Sequence, residues 1–177
     1  MNLLIVSGYW PTQANPISGI FVAQQVEALV RAGCRITLLS GNTLGRPASP
    51  RLSPSELGLP EDRVTMFTYP LIRLPEKLSG WPGGIALNSA AAGIALRRVI
   101  RKLAESHGPF DAAIIHALRY AGFALPAWRH LVRGKVLAVC HGVDPFLEQP
   151  GNIKRSFPLL QKMVGQCEKL VLVGQPL

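Results

Sequence analysis

Two histidines and a serine–glycine pair are the residues whose types and positions best suit chemistry. His116 and His141 end the apolar runs "AAIIH" and "VLAVCH", and Ser18 and Gly19 come directly before an amphipathic segment. An imidazole that donates and accepts near neutral pH suits polar contacts to a sugar or a transferred group. The first amides of a helix suit an anion. The pattern predicts a site for a polar, anionic ligand.

Each of these residues also has a structural interpretation. A lone histidine is more often structural than functional, and Gly19 can act only as a helix cap that allows close contact. Two histidines at strand ends, the first followed by Arg119 and Tyr120, indicate a shared crevice more strongly than one does. Both interpretations stay open at this point.

The apolar pattern alternates between strands and helices along the whole chain. It predicts strands at 3–6, 35–40, 63–69, 111–116, 135–140 and 169–174. It predicts helices at 19–32, 84–106, 121–132 and 154–166. Residues 41–62 are predicted to form a long loop, and 70–82 a mobile excursion or lid. This order predicts an α/β fold: a doubly wound, mostly parallel Rossmann-like sheet with helices on both faces, whose ligands bind beyond the carboxyl ends of the strands.

Composition excludes several classes of protein. With 177 residues, 48% hydrophobic and 16% charged, the chain fits one folded domain, 1–177, and no apolar run approaches the ~20 residues of a membrane span. The net charge of +9 predicts an anionic partner, but the 7% aromatic residues are scattered, which argues against nucleic acid.

Cysteine spacing and short motifs narrow the prediction further. Cys34, Cys140 and Cys167 form no CxxC pair, so neither a disulfide framework nor a zinc site is predicted. The N-terminus lacks the basic region of a secretion signal, and a cytoplasmic protein is predicted. Neither G-x-G-x-x-G nor GxxxxGK[ST] is present, so we predict no dinucleotide cofactor.

Four segments together resemble the N-terminal domain of a family 4 glycosyltransferase of the GT-B fold. They are "YWPTQANPISGIFVAQQVEALVRAGCRITLLS", "FDAAIIHA", "VLAVCHGVDPF" and "KLVLVGQPL". The resemblance implies the acceptor-side half of a two-domain cleft enzyme that transfers a hexose, with retention, from a nucleotide sugar to an acceptor hydroxyl. It implies no metal and no cofactor. The nucleotide-sugar domain and its glutamate pair are not in 1–177, so this chain alone is expected to be inactive, and we expect it to be the front part of a longer protein.

The resemblance also assigns roles to residues. His141 matches the family histidine that hydrogen-bonds the transferred sugar, and Ser18 and Gly19 match the loop that approaches the donor diphosphate. Together with the position of His116 at a strand end, the resemblance predicts contacts to the acceptor from Trp10, Asn15, His116, Arg119, Tyr120 and Asp144. The alternative for Asp144, at the acidic position of the His-Gly-x-Asp motif, is to hold its own loop by local hydrogen bonds. The chain departs from its relatives at Leu118, where a second histidine is common, and at Gly174, which replaces a serine.

A group of basic residues predicts peripheral binding to an anionic membrane, where a lipid-linked or glycan acceptor is reached. The predicted patch consists of Arg73, Lys77, Trp81, Arg97, Arg98, Arg101 and Lys102. The alternative is an ordinary solvated helix face. Two other functions remain open: a non-catalytic module that binds anionic lipid or a partner protein, and a GT-B-type nucleotide-sugar epimerase. The sequence does not predict the oligomeric state.

Overall fold

A computed structural model describes residues 1–43, 49–71, 84–116, 121–141 and 152–173. The strands are β1 (Asn2–Ser7), β2 (Arg35–Thr43), β3 (Val64–Leu71), β4 (Ala112–His116), β5 (Val136–His141) and β6 (Lys169–Val173). The helices are α1 (Ile20–Arg31), α2 (Gly84–His107), α3 (Leu125–Trp128) and α4 (Asn152–Val164), and 3₁₀ turns cover Ser55–Leu57 and Arg129–Leu131.

The six strands form one sheet in the order β3-β2-β1-β4-β5-β6, and every neighbouring pair is parallel. The chain winds outward from β1 to β3, returns through α2 to β4 beside β1, and then winds the other way. The strand order therefore reverses between β1 and β4, where doubly wound sheets form their ligand crevice. The predicted Rossmann-like α/β fold is confirmed.

Both faces of the sheet are covered, which explains why its central strands are continuous apolar runs. In β1, Leu4 and Val6 join the core on the α2 side, whereas Leu3 and Ile5 join the core on the α1 side. The same alternation holds along β4 and β5. Side chains therefore leave each strand in two directions, and the period of two fixes which residues reach each face.

The predicted helix faces agree with the structure. In α1, Val22 and Val26 are fully buried, and the chain leaves the helix through Gly33 at φ 85°, a left-handed conformation that suits glycine. In α2, Leu96 and Ile100 are fully buried. No helix in the described ranges has both the length and the apolar character needed to cross a membrane.

Two predicted segments differ from the structure. The helix predicted at 121–132 is reduced to Leu125–Trp128 and a 3₁₀ turn, because Pro126 is tolerated only in the first turn of a helix. The loop predicted at 41–62 is partly ordered, since β2 continues to Thr43 and a 3₁₀ turn follows. In the predicted lid at 70–82, β3 continues through Leu71, and 72–82 lie outside the described residues.

The amino ends of β5 and β6 are joined by one carboxylate. Glu168 accepts a hydrogen bond from the Val136 amide at 2.5 Å and forms an ion pair with Arg129 at 2.9 Å. The hydrogen bond from the Val136 amide is the largest cause of a lowered pKa at Glu168, and the Arg129 contact contributes less in the same direction. Beside it, burial raises the pKa of the Cys167 thiol to about 11, which keeps that thiol protonated and unreactive.

Candidate ligand site at the carboxyl edge of the sheet

The carboxyl ends of β1, β4 and β5 meet at one edge of the sheet. Ser7 pairs in register with His116, His116 pairs with Val139, and the backbone of His141 ends β5 opposite Val173. Because all three strands are parallel, the segments that follow them emerge on the same side. Both predicted histidines and the loop that carries Ser18 and Gly19 therefore start from this edge.

The β1–α1 loop, residues 8–19, is held at its base by two buried hydroxyl groups. Ser7 Oγ accepts a hydrogen bond from the Tyr9 amide at 2.9 Å and donates one to the Tyr9 carbonyl at 2.7 Å. Ser40 Oγ, at the neighbouring position on β2, donates to the Ser7 carbonyl at 3.0 Å. Both serines are completely buried. These contacts fix the direction in which the chain leaves β1.

Gly19 ends this loop in a conformation that only glycine adopts easily. Its φ is 76°, and a Cβ on it would lie 2.5 Å from the Trp10 backbone nitrogen. A side chain is therefore excluded both by the backbone conformation and by the space. The structural interpretation of Gly19 accounts for the residue type in full, and its contact with a diphosphate stays a prediction.

Polar residues within the loop bind one another. Thr12 and Asn15 exchange backbone hydrogen bonds at 3.2 and 3.1 Å, and Asn15 Oδ1 accepts from the Ser18 amide at 3.1 Å. Asn15 and Ser18 are both exposed. Asn15 thus shapes the turn before α1, as asparagine side chains commonly do, and its predicted contact with an acceptor is untested.

Residues 49–52 form an outer support for the loop that the sequence did not predict. Gln13 and Leu52 donate their amides to the carbonyls of Pro50 and Pro11, at 2.9 and 3.0 Å. An antiparallel bridge joins Thr12 to Arg51. No periodic signal marks so short a pairing, and the prolines around it favour a loop prediction.

Trp10 joins this support to the core. It is 3% exposed, and its indole Nε1 donates to the Leu52 carbonyl at 2.7 Å. These contacts are structural. The acceptor contact predicted for Trp10 stays a prediction, from a ring that the structure places inside the protein.

His116 lies beneath the sheet edge rather than on it. The residue is 1% exposed, and its Nε2 lies 2.6 Å from Gln25 Oε1 on α1. The ring centroids of His116 and Phe21 are 6.3 Å apart, and those of Phe21 and Tyr9 are 5.7 Å apart. With Gln25 Oε1 as acceptor, Nε2 carries the proton. His116 therefore positions α1 against β4, and its predicted contact with an acceptor remains untested.

The remaining predicted residues divide between the outer face of α2 and the undescribed part of the chain. Four of them are exposed on α2: Arg97, Arg98, Arg101 and Lys102. The others lie outside the described residues: Arg73, Lys77, Trp81, Arg119, Tyr120 and Asp144. Among the side chains that the structure describes, no group of three His, Cys, Asp or Glu residues is placed to hold a metal ion.

Comparison with known families identifies the family of this chain. Residues 18–176 match the model of Glycosyltransferase Family 4, and the chain belongs to that family. The match confirms the predicted resemblance to its N-terminal domain. No curated protein matches the sequence significantly.

Solved structures of GT-B glycosyltransferases share the fold. The structure of Arabidopsis thaliana UGT89C1 complexed with UDP-L-rhamnose aligns with 98% of this chain and 44% of its own, at 11% identity and a TM-score of 0.50. An alpha,alpha-trehalose-phosphate synthase (UDP-forming) from Burkholderia vietnamiensis aligns with 96% of this chain and 39% of its own, at 17% identity and a TM-score of 0.51. The chain thus spans about two fifths of the length of these proteins.

Proposed function

We propose that this chain is the acceptor-side domain of a glycosyltransferase that moves a hexose from a nucleotide-sugar donor to an acceptor hydroxyl, with retention of configuration. The observation that carries the proposal is the shaped β1–α1 loop at the point where the strand order reverses, in a chain of family 4. Gly19 there brings the start of α1 against the Tyr9–Trp10 peptide. The nearby carboxyl ends of β4 and β5 bring the backbones of two histidines to the same edge.

The donor belongs to the class of nucleotide diphosphate sugars. One solved relative holds UDP-L-rhamnose, and the other is a UDP-forming synthase. In our proposal the amides at Ser18 and Gly19 approach the diphosphate, where the positive end of the α1 dipole opposes its charge. The imidazole of His141 hydrogen-bonds the transferred sugar. Catalysis comes from positioning the reactants and from stabilising the leaving diphosphate.

A second domain supplies the nucleotide contacts and the glutamate pair in this proposal, so residues 1–177 alone do not turn over. The intact gene product is therefore the material for activity measurements. Epimerisation of the donor without transfer to any acceptor would instead favour the epimerase alternative.

The test of transfer is the variant His141→Ala in the intact gene product, assayed against a panel of nucleotide sugars and acceptors. We expect kcat/KM to fall about 100-fold or more, since a positioned polar group in an active site commonly contributes that much. His130→Ala is the matched control, because His130 is exposed on the 3₁₀ turn after α3. Unchanged kcat/KM for His141→Ala with every donor would refute the role of that histidine.

We also propose that the acceptor is lipid-linked and that the outer face of α2 lies on an anionic membrane surface. Leu87 and Ile94 are 54% and 72% exposed. Arg98 and then Arg101 follow Ile94 on the same side of the helix, at intervals of four and three residues. Glu105 is the acidic residue on this side. Exposed apolar groups beside cations favour an interfacial helix over a purely solvated one.

Sedimentation with phosphatidylcholine vesicles, with and without phosphatidylglycerol, tests membrane binding. Arg98→Gln combined with Arg101→Gln should weaken binding to the anionic vesicles about 10-fold or more, at about 1 kcal/mol per cation near the surface. Arg35→Gln combined with Lys135→Gln removes the same charge from exposed positions elsewhere and should have the smaller effect. Equal losses for the two double variants would contradict a specific role for α2.

A further inference from the structure

Arg51 is a half-buried cation beside the β1–α1 loop, and it is not among the site residues that the sequence predicts. Its Nη2 donates to the Gly41 carbonyl near the carboxyl end of β2, at 2.5 Å. Burial lowers the pKa of this arginine, and the electrostatic contact with Tyr69 opposes that shift. A guanidinium has five N–H donors, so this single carbonyl leaves most of its hydrogen-bonding capacity unused within the described residues.

The charge of Arg51 is not balanced by a carboxylate in the described part of the chain. The ion pairs of that part join Arg31 to Glu27, Arg63 to Asp62 and Arg129 to Glu168. Arg31 and Arg63 are exposed, so water stabilises their charges even without a carboxylate. Removing an arginine from water without a counter-ion is costly, and a ligand anion would supply the missing charge.

The surroundings of Arg51 are fixed rather than loose. The bridge to Thr12 and the amide contacts on either side hold its backbone against the β1–α1 loop. The buried Tyr69 lies beside it, and its hydroxyl oxygen would be 3.1 Å from a Cβ on Gly41. Glycine at 41 thus leaves room for the phenol next to the guanidinium. A preorganised donor group of this kind binds an anion with little ordering cost.

We propose that Arg51, supported by Tyr69, binds a phosphate or carboxylate group carried by the acceptor. The assignment of this anion to the acceptor rests on the proposed function, whereas the anion site itself rests on the local geometry. In the strand order, three steps separate β2 from β5, which is about 14 Å at the usual strand spacing. The anionic group therefore lies away from the reacting hydroxyl, and Arg51 is a specificity-determining residue that recognises a remote part of the acceptor.

The anion site is tested first on this chain by NMR of the arginine Nε–Hε groups. The probes are inorganic phosphate, glucose 6-phosphate and UDP, each added at constant ionic strength. We expect a saturable shift of the Arg51 signal with the first two probes and a smaller one at Arg63, which is exposed and paired with Asp62. Equal, unsaturable shifts at both arginines would overturn the site, and a saturable response to UDP alone would assign it to the donor and overturn the acceptor role.

The second test uses the intact gene product with acceptor pairs that differ only in one anionic group. Arg51→Gln should raise the KM for the anionic acceptor about 10- to 100-fold, the usual range for a lost charged hydrogen bond. Arg51→Lys should restore part of it, and the donor KM should not change. An equal loss with the neutral acceptor would indicate a structural role and overturn the proposal. Absence of any transfer would refute the proposed function, while the NMR result would still decide the anion site.

Discussion

The centre of the sheet and its β6 edge are built in opposite ways. At the carboxyl end of β1, the buried side chains of Ser7, Ser40 and Trp10 are hydrogen-bonded, and Gly19 ends the β1–α1 loop. At the β6 edge, every residue of β6 is exposed, with Leu172 at 72%, and Glu168 adds one side-chain contact with β5 to the pairing of the two strands. The difference teaches that buried and hydrogen-bonded polar side chains lie at the carboxyl edge where the ligand is proposed to bind, as a preorganised site requires.

Among variants that test this comparison, Gly19→Ala should lower the free energy of unfolding most. The new Cβ meets the Trp10 backbone at 2.5 Å in a left-handed conformation, so we expect a loss of about 3 kcal/mol or more in the free energy of unfolding. Gly58→Ala is the matched control: its φ is 71° but nothing lies within 4 Å of its Cβ, and about 1–2 kcal/mol is expected. Urea unfolding measures both. Equal losses would show that backbone conformation alone, and not the contact with Trp10, demands glycine at 19.

His116→Ala should cause the next largest loss of stability. It empties a fully buried site and leaves Gln25 Oε1 without its partner, which we expect to cost about 3 kcal/mol. His130→Ala, on an exposed residue, should stay within about 0.5 kcal/mol of the parent protein. Thermal or urea unfolding gives both values. A small loss for His116→Ala would contradict its role in positioning α1.

Glu168→Gln should have the smallest effect, and that effect should depend on pH. The pKa of Glu168 is lowered in the folded state, so its contribution to stability is present above the ordinary glutamate pKa of about 4.3 and is lost as the pH falls through the lower, folded value. The two proteins should therefore differ at pH 7 by less than about 1 kcal/mol, because the ion pair is partly exposed, and the difference should shrink as the pH falls through the folded pKa.

Arg129→Gln separates the two causes of that shift. The hydrogen bond from Val136 is the larger cause, so this variant should retain most of the acid dependence. If Arg129→Gln abolished the dependence, the ion pair and not the backbone contact would control the titration of Glu168. Urea unfolding at several pH values between 3 and 7 measures the difference.

Much of the fold was predictable because its signals are periodic. Runs such as "LLIV" have no polar face, which indicates strands covered on both sides, and the positions of Val22 and Val26 mark the inner face of α1. The one helix predicted too long contains Pro126, whose effect on the boundary is local and visible in the sequence.

The site was predictable only in outline. Strand ends indicate which residues approach the carboxyl edge, but they do not say which side chains turn inward, as His116 and Trp10 do. The pairing of 49–52 with the β1–α1 loop depends on contacts between distant segments, and so does the placement of Arg51. Hydrophobic periodicity carries no information on such contacts, because each one involves only a few irregular residues.

The hydrogen bond from Trp10 to Leu52 joins residues that are 42 positions apart in the chain. The pairing of β1 with β2 begins between Asn2 and Arg35, so the whole βαβ unit is synthesised before residues 49–52. During synthesis the β1–α1 loop would then acquire its final shape only after residues 49–52 have left the ribosome. A nascent protein that ended at Thr43 would contain the βαβ unit without the support that residues 49–52 give to the β1–α1 loop.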